Sequence, residues 1–222
     1  MKKTPAIIVD DFFDYPDSIR NWALSDELKY MADENGTWPG ERTEITKTDF
    51  GNRFAQQVSN LLYDFSGEGY CLNYSCYFQK VKKTNYNSDS LMHQGWIHTD
   101  PGKYTGILYL NKNFPAKSGT TIFEPLPGKD VNDQSLKYEY YKGNKINEDE
   151  YMKEIKENNE NFIPTIPVAN KYNRLFLFEA NQYHGVESFY SDTDEDRLTI
   201  AFFAHNMETI AKSPLERMKE RY

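Results

Sequence analysis

Two cysteines are all that this 222-residue chain contains. Cys71 and Cys76 are too few for a disulfide framework and too widely spaced for a Cys-x-x-Cys pair, and in one strand they would face opposite ways. No apolar run approaches the roughly 18–20 residues of a membrane span. Met1-Lys2-Lys3 leads into no signal-peptide core, so the expected setting is cytoplasmic, with no membrane partner. Positive charge is in deficit: 26 Lys and Arg against 34 Asp and Glu give a formal charge of −8. That disfavours a nucleic-acid partner while leaving room for a local basic groove. Repeats and coiled-coil heptads are absent, and histidine is scarce, with His93, His98, His184 and His205 the full set. What the chain has in quantity is aromatic: 17 Tyr and 14 Phe, which suit the half-buried faces of sheets. Its length fits a single domain.

Ala6 to Phe13 reads as a strand running into Asp14-Tyr15-Pro16-Asp17, where Pro and Asp favour a helix start; Ile19, Trp22 and Ala23 then share one helical face. From Asn35 to Phe50 the chain is polar and carries Trp38-Pro39-Gly40, which predicts loop with short extended pieces. Phe54, Val58, Leu61, Leu62 and Phe65 mark a second amphipathic helix ending near Gly67. The period then changes to two. Leu72, Tyr74, Cys76 and Phe78 alternate with Asn73, Ser75, Tyr77 and Gln79, the pattern of a strand with one apolar and one polar side. Further strands are predicted around His98–Asp100, Tyr104–Asn111, Thr120–Phe123, Arg174–Phe178 and Arg197–Phe203, a series that suggests an antiparallel sandwich or jelly roll. Residues 129–170 read as a polar insertion holding one helix near Glu148–Asn158, with little apolar surface to dock it, hence a flap that opens at low cost. Ser213-Pro214-Leu215-Glu216 is a capping box that predicts a C-terminal helix over 213–222.

The stretch that organises the rest is Gly95-Trp96-Ile97-His98-Thr99-Asp100-Pro101-Gly102. If it is extended, His98 and Asp100 point to one side and could meet one ion, with Thr99 facing away. A surface turn with a hydrogen-bonded histidine is the plainer alternative. His184 follows the apolar run Arg174–Phe178, at a strand end where sandwich folds place sites. Arg197 opens an otherwise apolar strand, with Thr199 on its face. Burying a lone guanidinium costs several kcal/mol, so Arg197 sits at the rim, meets an anion, or pairs with Asp192, Asp194, Glu195 or Asp196.

His98-x-Asp100, His184 and Arg197, in that order, resemble the iron(II)- and 2-oxoglutarate-dependent oxygenases. The run Ile107-Leu108-Tyr109-Leu110-Asn111 and the step Ser118-Gly119 into Thr120–Phe123 resemble the prolyl-hydroxylase branch, and within it short members from phage and marine bacterial genomes. The resemblance covers about residues 70–205. It implies a mainly β fold with supporting α-helices, a double-stranded β-helix or jelly roll over 70–205, with residues 1–68 as its supporting part. It implies that His98, Asp100 and His184 hold Fe(II), that Arg197 takes the distal carboxylate of 2-oxoglutarate, and that Tyr109 and Thr199 add hydroxyl contacts. Two neutral imidazoles and one carboxylate suit Fe(II) with open positions for co-substrate and O₂, and the guanidinium fork suits a carboxylate. The implied activity is dioxygenase hydroxylation of a C–H bond in a small-molecule or peptide substrate, releasing succinate and CO₂, with ascorbate admitted as a reductant.

The interval from His184 to Arg197 is longer than is usual in that family, and the acidic loop Asp192–Asp196 must absorb the excess; Arg174 is the fallback carboxylate partner. His93 is read as a loop residue or a donor to a ligand, and His205 as structural, after the last strand. The alternatives are a cupin-like metal-binding isomerase and a binding module without 2-oxoglutarate chemistry.

Overall fold

Alternation with period two gives a strand two unlike faces, and β4 (Cys71–Val81) shows where each goes: Cys76 and Phe78 enter an apolar core, while Ser75, Tyr77 and Gln79 line a cavity on the other side. A computed structural model describes residues 6–35, 37–62, 71–83, 86–129, 135–142 and 147–208. Among these, the larger sheet runs in the order β1 (Ala6–Val9), β8 (Leu175–Glu179), β5 (Tyr104–Tyr109), β10 (Arg197–Glu208), β4, β3 (Glu41–Glu44), β2 (Met31–Ala32). A smaller sheet has the order β7 (Phe162–Val168), β6 (Thr120–Pro125), β9 (Tyr183–Gly185), and His98 bridges His184 at its β9 edge. Every pairing is antiparallel. From β4 onward the chain alternates between the sheets: β4 in the larger, His98 in the smaller, β5 back, β6 and β7 in the smaller, β8 back, β9 across, β10 back.

The outer face of the larger sheet carries the main core. Helices α1 (Pro16–Ala23) and α2 (Asp49–Leu62) set Ala23, Phe54, Val58 and Leu62 against Phe78, Ile200 and Phe202. The rings of Phe54 and Phe202 meet edge to face at 5.7 Å and those of Trp22 and Phe78 at 5.1 Å. Fully burying each such side chain contributes about 1.5–3 kcal/mol. On the inner face Phe176 and Phe178 join Ile122 and Val168 of the smaller sheet, which closes part of the space between the sheets; the rest is the cavity. No helix among the described residues is long and apolar enough to cross a membrane.

Several expectations change. Residues 162–168, assigned to a polar insertion, are strand β7, paired along its length with β6. Pro164 and Pro167 argue against a strand, yet β7 is an edge of its sheet, where the missing N–H groups are tolerated, and the register shifts between Ile122 and Phe123, opposite Pro164. The remaining insertion holds two helices, α3 (Ser135–Tyr141) and α4 (Glu148–Asn159), not one. Nor is it an undocked flap. α4 starts on an Asn147 side chain that accepts from the Glu150 N–H at 2.9 Å, and its Tyr151 and Ile155, one turn apart, are buried with Trp96. Two apolar residues on one face suffice to seat an otherwise charged helix. The polar segment before α2 does hold a short extended piece, β3, as expected, but β10 continues past Phe203 to Glu208, so His205 lies within the strand. His98–Asp100 forms a single bridge at His98, not a full strand. The expected helix end near Phe65 and Gly67 and the C-terminal helix at 213–222 lie outside the described residues.

Candidate metal centre

The stretch from Gly95 is drawn against the chain that follows β9. Gly95 donates its N–H to the Val186 carbonyl at 2.8 Å, and a Cβ there would lie 2.7 Å from the Val186 nitrogen, so only glycine allows the approach. Three residues on, His98 and His184 exchange backbone hydrogen bonds at 3.0 and 2.8 Å, which sets their rings side by side with centroids 4.5 Å apart. Asp100 donates its N–H to the Ala180 carbonyl at 2.9 Å, and its Oδ2 accepts from the Thr105 hydroxyl at 2.8 Å. Gly102, at φ 110°, then turns the chain into β5.

Each imidazole has its outer nitrogen against a carbonyl: His98 Nδ1 donates to Trp96 O at 2.7 Å and His184 Nδ1 to Gln182 O at 2.9 Å. A carbonyl only accepts, so both protons sit on Nδ1 and both Nε2 lone pairs face inward. There they meet Asp100, with His98 Nε2 3.5 Å from Oδ1 and His184 Nε2 3.1 Å from Oδ2. One ligand atom from each of the three lies within 4.8 Å of the others. Three acceptors this close repel one another unless a cation lies among them, and two neutral nitrogens with one carboxylate oxygen suit a divalent first-row metal. The donor set therefore fits iron(II). Burial, helped by the charge of Lys137 and by His184, pushes the His98 pKa down to about 4 and keeps that ring neutral. Burial pushes the Asp100 carboxyl up, and only positive charge beside it, on the rings of His184 and His98 or on a cation in their place, holds it well below the usual carboxylate range.

Arg197 lies on the cavity side of β10 and is 4% exposed. Its Nε donates to Ser118 O at 2.8 Å, and its guanidinium carbon lies 5.7 Å from the ring centres of both Tyr109 and Phe189. Three acids of the neighbouring loop are engaged elsewhere. Glu195 pairs with Arg20 at 2.9 Å, Asp194 with Lys83 at 3.1 Å, and Asp196 accepts from the Lys83 N–H. Among the described residues no carboxylate pairs with Arg197, whose pKa burial lowers to about 10, still protonated near neutrality. Asn111 fixes the start of β10 by accepting from Leu198 N–H at 2.7 Å and donating to Asp196 O at 2.8 Å. Thr199, fully buried on Arg197's face, has a hydroxyl oxygen with no partner. Tyr109 is fully buried and donates to Thr120 Oγ1 at 3.0 Å, and it is Thr120 that lines the cavity. Arg174 is held by Asp10 through contacts of 2.6 and 3.0 Å, which removes it as the fallback.

The cavity has a volume of about 340 Å³, enough for a small molecule. It joins the three donors and Arg197 to a second group of residues that includes Trp38, Arg42, Tyr77, Lys137 and Phe203. Neither Arg42 nor Lys137 is marked as a site residue by its local pattern: Arg42 belongs to a four-residue strand, and Lys137 to a helix within the polar insertion. His205 also lines the cavity, its Nε2 2.8 Å from Ser75 Oγ. His93 stands apart, buried, its Nε2 3.2 Å from Tyr86 O and its ring against Tyr190.

The model of the Family of unknown function (DUF6445) matches residues 1–204, and the chain belongs to that family. No curated protein matches it by sequence. Among solved structures, HygX from Streptomyces hygroscopicus, with nickel and 2-oxoglutarate bound, superposes with a TM-score of 0.52 at 12% identity, over 90% of this chain and 82% of that one. SnoN, a non-heme alpha-ketoglutarate-dependent epimerase from nogalamycin biosynthesis, gives 0.50 at 15% identity, over 92% and 80%. A prolyl-4-hydroxylase from Pseudomonas putida gives 0.43 at 12%, over 92% and 94%. The likeness is one of fold alone, shared with HygX and SnoN.

Proposed function

We propose that this member of the DUF6445 family is an iron(II)- and 2-oxoglutarate-dependent dioxygenase that hydroxylates a C–H bond and releases succinate and CO₂. The observation that carries the reading is a pairing within one cavity: three donors with inward lone pairs, and a buried arginine that no carboxylate of the described chain neutralises. A cupin-like isomerase or a plain binding module has use for the first but none for the second. The strand alternation supports a jelly roll in which β4, the His98 bridge and β5 to β10 are the eight strands of a double-stranded β-helix.

His98, Asp100 and His184 would hold the iron. Bound there, it supplies the redox chemistry by which oxygen oxidises both 2-oxoglutarate and the substrate. The chain's own part is to bind and orient. Trp96 O and Gln182 O fix the imidazole tautomers, and Thr105 fixes one oxygen of Asp100. Arg197 receives the distal carboxylate, a charge-assisted contact made stronger by its burial, and the partnerless Thr199 hydroxyl offers a second bond. Tyr109 acts through Thr120: by donating to Thr120 Oγ1 it leaves that residue's own proton free for the carboxylate. The substrate is a peptidyl residue such as proline, a free amino acid or another small metabolite, in a cytoplasmic setting, with ascorbate as a reductant that keeps iron ferrous.

The test is turnover of 2-oxoglutarate in air with Fe(II), followed as succinate. We expect slow succinate release by the intact chain, none without iron, and metal loss in His98→Ala, Asp100→Ala and His184→Ala but not in His93→Ala. Arg197→Met should keep its iron and raise the 2-oxoglutarate KM about 10²-fold, since a hydrogen-bonded charge pair contributes up to about 3 kcal/mol. Iron retained in full by His184→Ala, or a KM unmoved by Arg197→Met, contradicts the assignment.

A further inference from the structure

Within a chain of formal charge −8 the cavity runs the other way. The fully ionised side chains that line it are Arg42, Arg197 and Asp100, with Lys137, buried, as a further base. A divalent metal on the three donors adds two positive charges, and 2-oxoglutarate removes two. The excess of positive charge is therefore untouched by the co-substrate, and part of it sits on Arg42, outside the group assigned to that co-substrate.

Arg42 points from β3 across the inner face of the larger sheet. Its guanidinium carbon lies 4.1 Å from the ring centre of Trp38, 5.4 Å from Tyr77 and 5.3 Å from Phe203. Its Nη2 donates to Gln79 Oε1 at 3.2 Å, and Gln79 is held in turn by donating to Pro39 O at 3.1 Å. The Nε of Arg42 is buried with no acceptor, and so is the indole N–H of Trp38 beside it. Asp33, the acid in the neighbouring turn, accepts from Thr37 and Asn35 instead. Two partnerless donors, one of them charged, on residues that line a cavity call for an acceptor from outside the chain. The aromatic rings around them hold the fork flat and offer apolar surface to whatever carries that acceptor.

We propose that Arg42, on the platform of Trp38, Tyr77 and Phe203, binds an anionic group of a small-molecule substrate whose apolar body lies on those rings. This rests on the oxygenase reading for the word substrate, but not for the binding. Carboxylate and phosphate share the chemistry the site would recognise, and the probes separate them. Fe(II)-loaded protein, free of oxygen and saturated with 2-oxoglutarate, is titrated calorimetrically with three acid and amide pairs: phenylacetate and phenylacetamide, 3-indolepropionate and its amide, cyclohexanecarboxylate and its amide. Phenyl phosphate is the further arm, and binding tighter than phenylacetate assigns the group as a phosphate.

At least one acid should bind 10-fold or more tightly than its amide, and Arg42→Gln should abolish that preference while leaving iron content and the 2-oxoglutarate Kd within two-fold. Arg42→Lys, which keeps the charge and loses the fork, should fall between and guards against a folding defect in the first variant. No preference for acid over amide anywhere in the panel, a preference that survives Arg42→Gln, or a loss of 2-oxoglutarate binding in that variant would each overturn the proposal. If the intact protein binds no 2-oxoglutarate, the oxygenase reading fails, and the acid preference is still measured on the iron-loaded chain.

Discussion

His98 illustrates how a single residue is prepared for one task. A free imidazole carries a proton below about pH 6.5, and a protonated ring cannot hold a metal. Burial keeps His98 neutral down to about pH 4, so acid competes with the metal at this ligand later than at an exposed one. The same shift has a stability consequence in the metal-free chain. The unfolded state takes up the proton near pH 6.5 and the folded state near pH 4, so stability is full above pH 6.5 and falls as pH drops through that window, by about 3 kcal/mol for this group. In urea unfolding at pH 7 and pH 4.5, the metal-free wild type should lose more stability than His98→Asn. Equal losses would mean that His98 is not buried neutral. Residues of this kind were partly legible. The spacing of His98 and Asp100 announced a shared side, and Arg197 announced an unpaired charge. Arg42 did not, because a charged side chain in Glu41-Arg42-Thr43-Glu44 looks the same whether it points to water or into a cavity.

At the scale of elements, the strands of strong alternation, β4 and β10, could be read from their periodicity, since each turns one row of side chains to the core. β7 was hidden by its prolines and β9 by its three-residue length. Least legible was the work of α4. Its last turn lies along the outer edge of the ligand-bearing stretch, where Asn159 Oδ1 accepts from Ile97 N–H at 3.1 Å and its Nδ2 donates to Gly95 O at 3.1 Å, while Asn158 Nδ2 donates to Ile97 O at 3.2 Å. Two side-chain amides thus stand in for a neighbouring strand beside His98, a contact some sixty residues distant in sequence that no local pattern records. Asn159→Ala leaves two backbone groups without partners, at about 1–3 kcal/mol each. It should weaken Fe(II) binding about 10-fold, the lower range for a residue that supports a ligand. Asn159→Asp, which keeps the acceptor to Ile97, should lose less. Metal affinity unchanged in Asn159→Ala, with only the melting temperature lowered, would show that α4 supports the fold and not the site.

Over the whole molecule the two sheets divide the work. The outer face of the larger sheet and its helices supply the main apolar core, and the inner face is left for a cavity that a small core of Phe176, Phe178, Ile122 and Val168 props open on one side. The excess of positive charge inside an acidic chain draws small anions towards that cavity. The proposed function requires metal and 2-oxoglutarate to bind together there, and calorimetry without oxygen measures it. The Fe(II)-loaded chain should bind one 2-oxoglutarate per chain, at least 10-fold more tightly than the metal-free Asp100→Ala variant, because the co-substrate then meets both the metal and Arg197. Absence of binding, or the same affinity with and without metal, would contradict it.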